Sequence, residues 1–289
     1  MKRILVTGAS GHAGGMVLSA LEARGLPVRA AATRPQRLEQ PGREVTRLDF
    51  TDARTWPIAL LGCDAVFLLR PPALTDMELT LIPFLDTARA SGVTYVVFLS
   101  VAGAEQRSWV PHRAVERHLE ASGAGWTVLR PGFFAQNLEQ AYARDLLEDG
   151  RLYVPAGTGR VAFLDVLDVG AVVAELMADP ARHDRAYLTL TGPEALTFEE
   201  VAARVSRALG RPIAYRPASP VGYVWHLVNR REVPLMQALV QAVLHLGLRR
   251  GDAGRVDATV PALLGREASS LEAYLARLPP ALSSGPPTP

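Results

Sequence analysis

Short unbroken apolar runs alternate with amphipathic stretches through the first half of the chain. Ile4-Leu5-Val6 predicts a short buried strand. Met16, Val17, Ala20 and Leu21 then recur at helical spacing until Gly25 ends the helix. Strands are expected at Val28 to Ala32, near Val45 to Leu48, at Ala65 to Leu69, at Tyr95 to Leu99 and at Trp126 to Leu129. Between them the pattern predicts helices from about Thr75 to Ser91 and from Arg113 to Ala121, closed by Gly92 and Ser122-Gly123. Strands with no polar face, separated by helices, imply a parallel sheet covered on both sides. The expected fold class is α/β, with a doubly wound parallel sheet.

The second half is less regular. Gly157-Thr158-Gly159 reads as a turn, Val161 to Leu164 as a strand, Val169 to Met177 as a helix and Tyr187 to Thr191 as a late strand. Thr197 has the pattern of an N-cap, with Glu199 and Glu200 behind it. From about Pro217 to Leu278 the pattern is mainly helical. These readings give a nucleotide-binding type of domain over residues 1–155, its sheet completed by segments near 161–166 and 187–191. A smaller, mainly helical substrate region follows over 156–278, and a proline- and serine-rich mobile tail over 279–289.

Composition narrows the function. Of 289 residues, 48 % are apolar and 21 % charged, and the net charge is only +2, so a sizeable core is expected and a nucleic-acid partner is not. Cys63 is the only cysteine, which excludes an internal disulfide and a cysteine-based zinc site. The histidines show no metal-ligand spacing. No apolar run reaches membrane-spanning length, and the apolar stretch after Met1-Lys2-Arg3 is too short for a signal peptide. A cytoplasmic location is expected, with no membrane partner.

The chemistry is announced by Thr7-Gly8-Ala9-Ser10-Gly11-His12-Ala13-Gly14-Gly15, which leaves the first strand and opens the first helix. Gly8 suits the sharp turn, Gly11 a backbone that a pyrophosphate approaches, and Gly14 close packing of the helix on the sheet. Amides at the helix start then face phosphate oxygens. This is the Rossmann arrangement for a nicotinamide dinucleotide. An NAD-specific site needs an acid at the end of the second strand, but that strand ends Ala32-Thr33-Arg34-Pro35. Arg34, with Arg37 as a second candidate, is suited to a 2′-phosphate, so NADP(H) is expected over NAD(H). Asp49-Phe50 is placed to flank the adenine.

The motifs together resemble the NmrA-like branch of the atypical short-chain dehydrogenases/reductases. The stretches that carry the resemblance are Val6 to Gly14, Leu48-Asp49-Phe50, Phe67 to Pro72, Val96 to Ser100, His112 to Leu119, Ser122 to Asn137, Asp165 to Gly170 and Leu190 to Leu196. The resemblance implies NAD(P)H-dependent reductases of quinones, dyes or imines, or non-catalytic redox-sensing regulators. It places Gly8, Ser10, Gly11, His12, Ala13, Arg34, Leu69, Arg70 and Ser100 around the cofactor. The family often has its arginine one place earlier, at the position of Thr33.

Most short-chain dehydrogenases use Tyr-x-x-x-Lys. Lys2 is the only lysine, and none of the seven tyrosines has an arginine four residues on, so that mechanism is excluded by reading. Aligned on Glu116, His112 stands where the lysine would be and Ser108 where the tyrosine would be. His112 is a candidate to bond the nicotinamide ribose or, titrating near neutral pH, to donate a proton. Ser100, ending the fifth strand, is the second catalytic candidate. Phe133, Phe134 and Trp109 could wall a flat substrate, with Phe133 equally suited to the core, and Asn137 could orient a substrate carbonyl. The apolar set in Val221 to Leu248 suits a substrate pocket or a homodimer surface. The expected function is hydride transfer from NAD(P)H to a flat conjugated small molecule. The alternatives are an NADP(H)-sensing regulator and, against the missing tyrosine, an epimerase-like isomerase.

Overall fold

A computed structural model describes residues 3–278. The tail expected over 279–289 lies outside the described residues. The chain runs β1 (Ile4–Val6), α1 (His12–Ala23), β2 (Val28–Ala32), β3 (Glu44–Arg47), α2 (Trp56–Leu60), β4 (Ala65–Leu69) and α3 (Leu81–Ala90). It continues through β5 (Tyr95–Leu99), α4 (Pro111–Ala121), β6 (Gly125–Pro131), β7 (Phe133–Phe134), α5 (Ala143–Asp149), β8 (Arg151–Val154) and β9 (Arg160–Leu164). Then come α6 (Val166–Ala178), β10 (Ala186–Leu190), β11 (Ala195–Thr197), α7 (Phe198–Leu209), β12 (Ala214–Pro217), α8 (Pro220–Arg231), α9 (Leu235–Arg249), α10 (Thr259–Leu264) and α11 (Leu271–Leu275).

These elements form two compact units. The first takes residues 1–131 as far as they are described, 166–190 and 259–266. Its seven strands lie in the order β10-β6-β5-β4-β1-β2-β3, all paired in parallel. β4 (Ala-Val-Phe-Leu-Leu) and β5 (Tyr-Val-Val-Phe-Leu) are buried almost throughout, because helices cover both faces of the sheet. Phe67 and Phe98, each fully buried there, contribute roughly 1.5–3 kcal/mol apiece. From β1 the chain builds outward through β2 and β3, then returns to place β4 on the other side of β1. The strand order therefore reverses between β1 and β4, and the crevice beyond their carboxyl ends is where doubly wound sheets take ligands.

The second unit takes residues 132–165, 191–258 and 267–289 as far as they are described. It carries a three-stranded sheet in the order β11-β9-β7 and the parallel pair β12-β8. The segment near 161–166, expected to complete the large sheet, instead pairs as β9 with β11 and β7. β10 does join the large sheet, beside β6. Thr197 caps α7 through a complete capping box with Glu200, and Gly210 ends that helix in the left-handed conformation. Helix α3 begins at Leu81 rather than near Thr75, because the Asp76 side chain accepts the Leu79 amide in a preceding turn. No helix among the described residues is long and apolar enough to cross a membrane.

Candidate functional site

The loop from Thr7 to Gly11 is held on three sides. The Thr7 amide donates to Phe67 O at 3.0 Å, and its hydroxyl accepts the Leu69 amide at 2.9 Å, which ties the ends of β1 and β4 together. The Ala9 amide donates to Ala31 O on β2 at 3.3 Å. Gly8 turns the chain with φ +64°, and the Leu69 side chain fills the space where a Cβ would stand, 2.8 Å from its Cδ2. Gly14 has a different reason from the expected one. A Cβ there would lie 2.1 Å from the Gly8 carbonyl oxygen, so Gly14 packs α1 against the loop itself.

Gly11 is the contrasting case. A Cβ there would meet only the Gly8 oxygen, at 3.4 Å, an ordinary contact. The protein itself would accept a side chain at this exposed position. Gly11 is also the N-cap of α1, with no side-chain cap and no acid in the first turn. A helix start has amides without intrahelical partners. Here the amides of His12, Ala13 and Gly14 occupy that position, beside the exposed Ser10 and His12 side chains. The result is a set of donors at the positive end of a helix dipole, able to take a diphosphate.

Thr33 and Arg34 follow β2 and are exposed. Neighbouring arginines are engaged: Arg29 with Glu44, Arg43 with Glu22, and Arg54 with Asp52. Arg34 and Arg37 have no carboxylate partner among the described residues. Asp49 turns its carboxylate onto its own turn, accepting from the Thr51 amide at 2.9 Å and hydroxyl at 2.7 Å. Phe50 does not present an open ring for adenine. It packs edge-on against Phe84 at 5.0 Å, in the cluster that also holds Trp56, and is 6 % exposed.

At the ends of β4 and β5 the structure joins residues that the sequence placed separately. Arg70 donates Nε–H to His112 Nε2 at 3.2 Å, and its Nη1 donates to the carbonyls of Pro71, Pro72 and Leu74. His112 lies at the start of α4 and is 8 % exposed, and its Nδ1 is buried without a hydrogen-bond partner. Burial, and then the nearby Arg70 charge, lower its pKa to about 4, against a smaller opposing effect of Glu116. The expectation that His112 gives up a proton near neutral pH is therefore corrected. The imidazole is neutral there.

Ser100 is bound into a buried network. Its hydroxyl donates to Glu116 Oε1 at 2.6 Å. Glu116 is fully buried. Burial works against its ionisation, but Arg130 (2.8 and 3.1 Å), Ser100 and Arg113 (3.1 Å) outweigh it and hold its pKa below the usual carboxylate value. Arg130 continues the network to Glu105 at 3.1 Å and lies 4.0 Å over the Tyr187 ring. The roles of Thr7 in tying the strand ends together, and of Glu116 and Arg130 in the buried network, were not read from the sequence. The only signal was the spacing that sets Glu116 on the same face of α4 as Val115 and Leu119. Trp109 is 74 % exposed.

In the second unit Phe133 is a packing residue, edge-on to Phe163 at 5.4 Å and to Phe198 at 6.4 Å. Phe134 and Asn137 are half-buried, and the Asn137 carbonyl accepts the Tyr142 amide at 3.0 Å. In the apolar set of α8 and α9, Tyr223 and Leu227 belong to the core, whereas Val221, Trp225, Leu235 and Met236 are exposed. Asp168 lies in the first turn of α6. It is fully buried and paired with Arg266 at 2.7 Å. Asp145, Asp149 and His226 lie close enough to hold a metal, but Arg231 already donates to both carboxylates, at 2.7 Å and 2.8 Å.

A seven-stranded, doubly wound parallel sheet with an uncapped glycine loop at its switch point defines a Rossmann-type α/β protein. The chain belongs to the NmrA-like family, which it matches over residues 1–261. It is 35 % identical over 223 residues to an NAD(P)H azoreductase from Xenophilus azovorans, covering 73 % of this chain and 76 % of that one. It is 33 % identical over 273 residues to a (4-alkanoyl-5-oxo-2,5-dihydrofuran-3-yl)methyl phosphate reductase from Streptomyces griseus, covering 92 % and 94 %. An NADPH-dependent quinone oxidoreductase from Escherichia coli, crystallised with NADPH, shares the fold with a TM-score of 0.84 at 24 % identity, covering 96 % of this chain and 99 % of that one.

Proposed function

We propose that this protein is an NAD(P)H-dependent reductase that prefers NADP(H) and passes hydride to a flat, conjugated small molecule such as a quinone or an imine. The observation that carries the reading is Gly11, where the protein itself would accept a side chain, set beside uncapped helix amides at the switch point. The reductases named among its relatives support the same class of reaction. In this reading the first unit holds the dinucleotide.

The amides of His12 and Ala13 take pyrophosphate oxygens, and the dipole of α1 favours their charge. Arg34, with Arg37 beside it, takes a 2′-phosphate, since both lack carboxylate partners among the described residues. Neutral His112 offers a hydrogen bond from Nδ1. Ser100 is a positioning residue that ties the end of β5 to α4 through Glu116. A bound reduced nicotinamide supplies the hydride, and the fold supplies proximity. His112 is neutral and the Ser100 hydroxyl is bonded to Glu116, so acceptors that take hydride directly suit the site, with solvent protonating the product afterwards.

The neutral His112 also favours one second reading, a cofactor sensor that does not turn over. Stopped-flow oxidation of NADPH against quinones, imines and cationic dyes separates the two. A reductase shows saturable acceleration with at least one acceptor. Tight NADPH binding with no acceleration by any of them overturns the reductase reading.

A further inference from the structure

We propose that Arg70 is a positioning residue that fixes His112 as the neutral Nδ1–H tautomer, so that His112 serves as a hydrogen-bond donor to the bound dinucleotide and not as an acid. The inference rests on the dinucleotide reading of the site, and it adds a residue and a proton position to it.

The argument starts from donor chemistry. An arginine Nε carries one hydrogen and no lone pair, so it can only donate. Its partner at 3.2 Å, His112 Nε2, must therefore be the unprotonated nitrogen. The ring hydrogen then sits on Nδ1. Protonating His112 would set an N–H against the Arg70 N–H and a second cation beside the guanidinium, in a site nine-tenths closed to water. The groups that face the ring are few. Arg70 comes from the loop after β4, the Phe98 ring from β5 at 6.0 Å between centroids, and Glu116 from one turn further along α4. Arg70 opposes a charged imidazole more than Glu116 favours it.

Arg70 is itself anchored. Its Nη1 is held by the carbonyls of Pro71, Pro72 and Leu74, so it cannot turn away from His112 without releasing that loop. The opposite ring nitrogen, Nδ1, is left as a donor with no protein acceptor. A buried donor in that state has its best outlet in a ligand acceptor. Within the proposed site the available acceptors are the hydroxyls and phosphates of the dinucleotide. Because an arginine keeps its charge across the working range of pH, it holds the tautomer wherever the ring is neutral.

The test reads the apo protein first. Long-range proton–nitrogen NMR of histidine side chains, with His112 assigned by its loss in His112→Gln, reports the tautomer directly. The expected result is a neutral Nδ1–H ring that does not titrate between about pH 5 and about pH 8. Arg70→Met should release the tautomer, giving a mixture of Nδ1–H and Nε2–H rings, with titration moved upward but still held below the ordinary histidine value by burial, while Arg70→Lys, still a cationic donor, should restore the wild-type signal. A wild-type ring that titrates near neutrality, or that carries its hydrogen on Nε2, overturns the proposal without any variant having to fold. Calorimetry with NADPH then tests the role. Arg70→Met and His112→Gln should each weaken binding about tenfold, and the double variant no further. Additive losses would sink the coupling. If wild type binds no NADPH while the tautomer is as expected, the dinucleotide reading has failed and the donor role falls with it.

Discussion

Replacing Gly11 by alanine separates what the loop does for the fold from what it does for a ligand. In the protein alone the new Cβ meets only the Gly8 oxygen at 3.4 Å, and φ −95°, ψ 170° suits alanine as well as glycine. The cost to the fold is the weaker N-cap preference of alanine, about 1 kcal/mol, or roughly 2–4 °C in Tm. The cost to a ligand is larger. If a pyrophosphate lies against Gly11, the Cβ pushes it off the amides of His12 and Ala13. Losing one charge-assisted hydrogen bond costs about 1.5–3 kcal/mol, which is roughly 10–150-fold in Kd. The assay pairs thermal unfolding of the apo protein with NADPH titration followed by nicotinamide fluorescence. Nearly intact Tm with strongly weakened binding is expected. Wild-type affinity with an intact Tm would show that no diphosphate approaches Gly11, and the reasoning about the cradle would be refuted.

Gly14→Ala should behave in the opposite way, because its Cβ would stand 2.1 Å from the Gly8 carbonyl oxygen; it should lower stability by about 1–3 kcal/mol in urea unfolding even without cofactor. Arg34→Ala should weaken NADPH about tenfold and leave NADH nearly unchanged, by parallel titrations; equal losses for both would remove Arg34 from a 2′-phosphate site. His112 predicts a stability change with pH. Its folded pKa, about 4, lies below its unfolded value, so between these the unfolded chain binds a proton that the native state refuses. Stability is then complete above about pH 6.5 and falls as pH drops toward about 4, by up to about 3 kcal/mol. His112→Asn should remove this component, seen as a smaller loss of urea midpoint between about pH 7 and about pH 4.5; an unchanged loss would contradict the buried neutral ring.

Much of the first unit was legible because its signals are local. Strands such as Ala65–Leu69 and Tyr95–Leu99 are apolar without interruption, and the glycines of the loop punctuate them. The second unit was harder to read. β9 has the apolar pattern of any inner strand, and nothing in Val161 to Leu164 says which sheet it joins. β8 and β12 pair in parallel across about sixty residues, and Tyr215 and Arg216 do not read as a strand on their own. In the site, the types of residue at the strand ends were visible, but their protonation and commitments were not. That His112 is neutral depends on its burial and on Arg70, 42 positions away in sequence, and that the Ser100 hydroxyl is bonded to a carboxylate depends on Glu116. Phe50 was misread because a core aromatic and a ligand-facing one look alike until Phe84 is placed against it.

The most direct test of the central claim is a calorimetric titration of the wild-type protein with NADPH, repeated with ADP-ribose, which keeps the diphosphate and lacks the nicotinamide. Saturable one-site binding of both, with NADPH the tighter, is the predicted result. No saturable heat from either would contradict the account, since the amides around Gly11 would then have no diphosphate to hold.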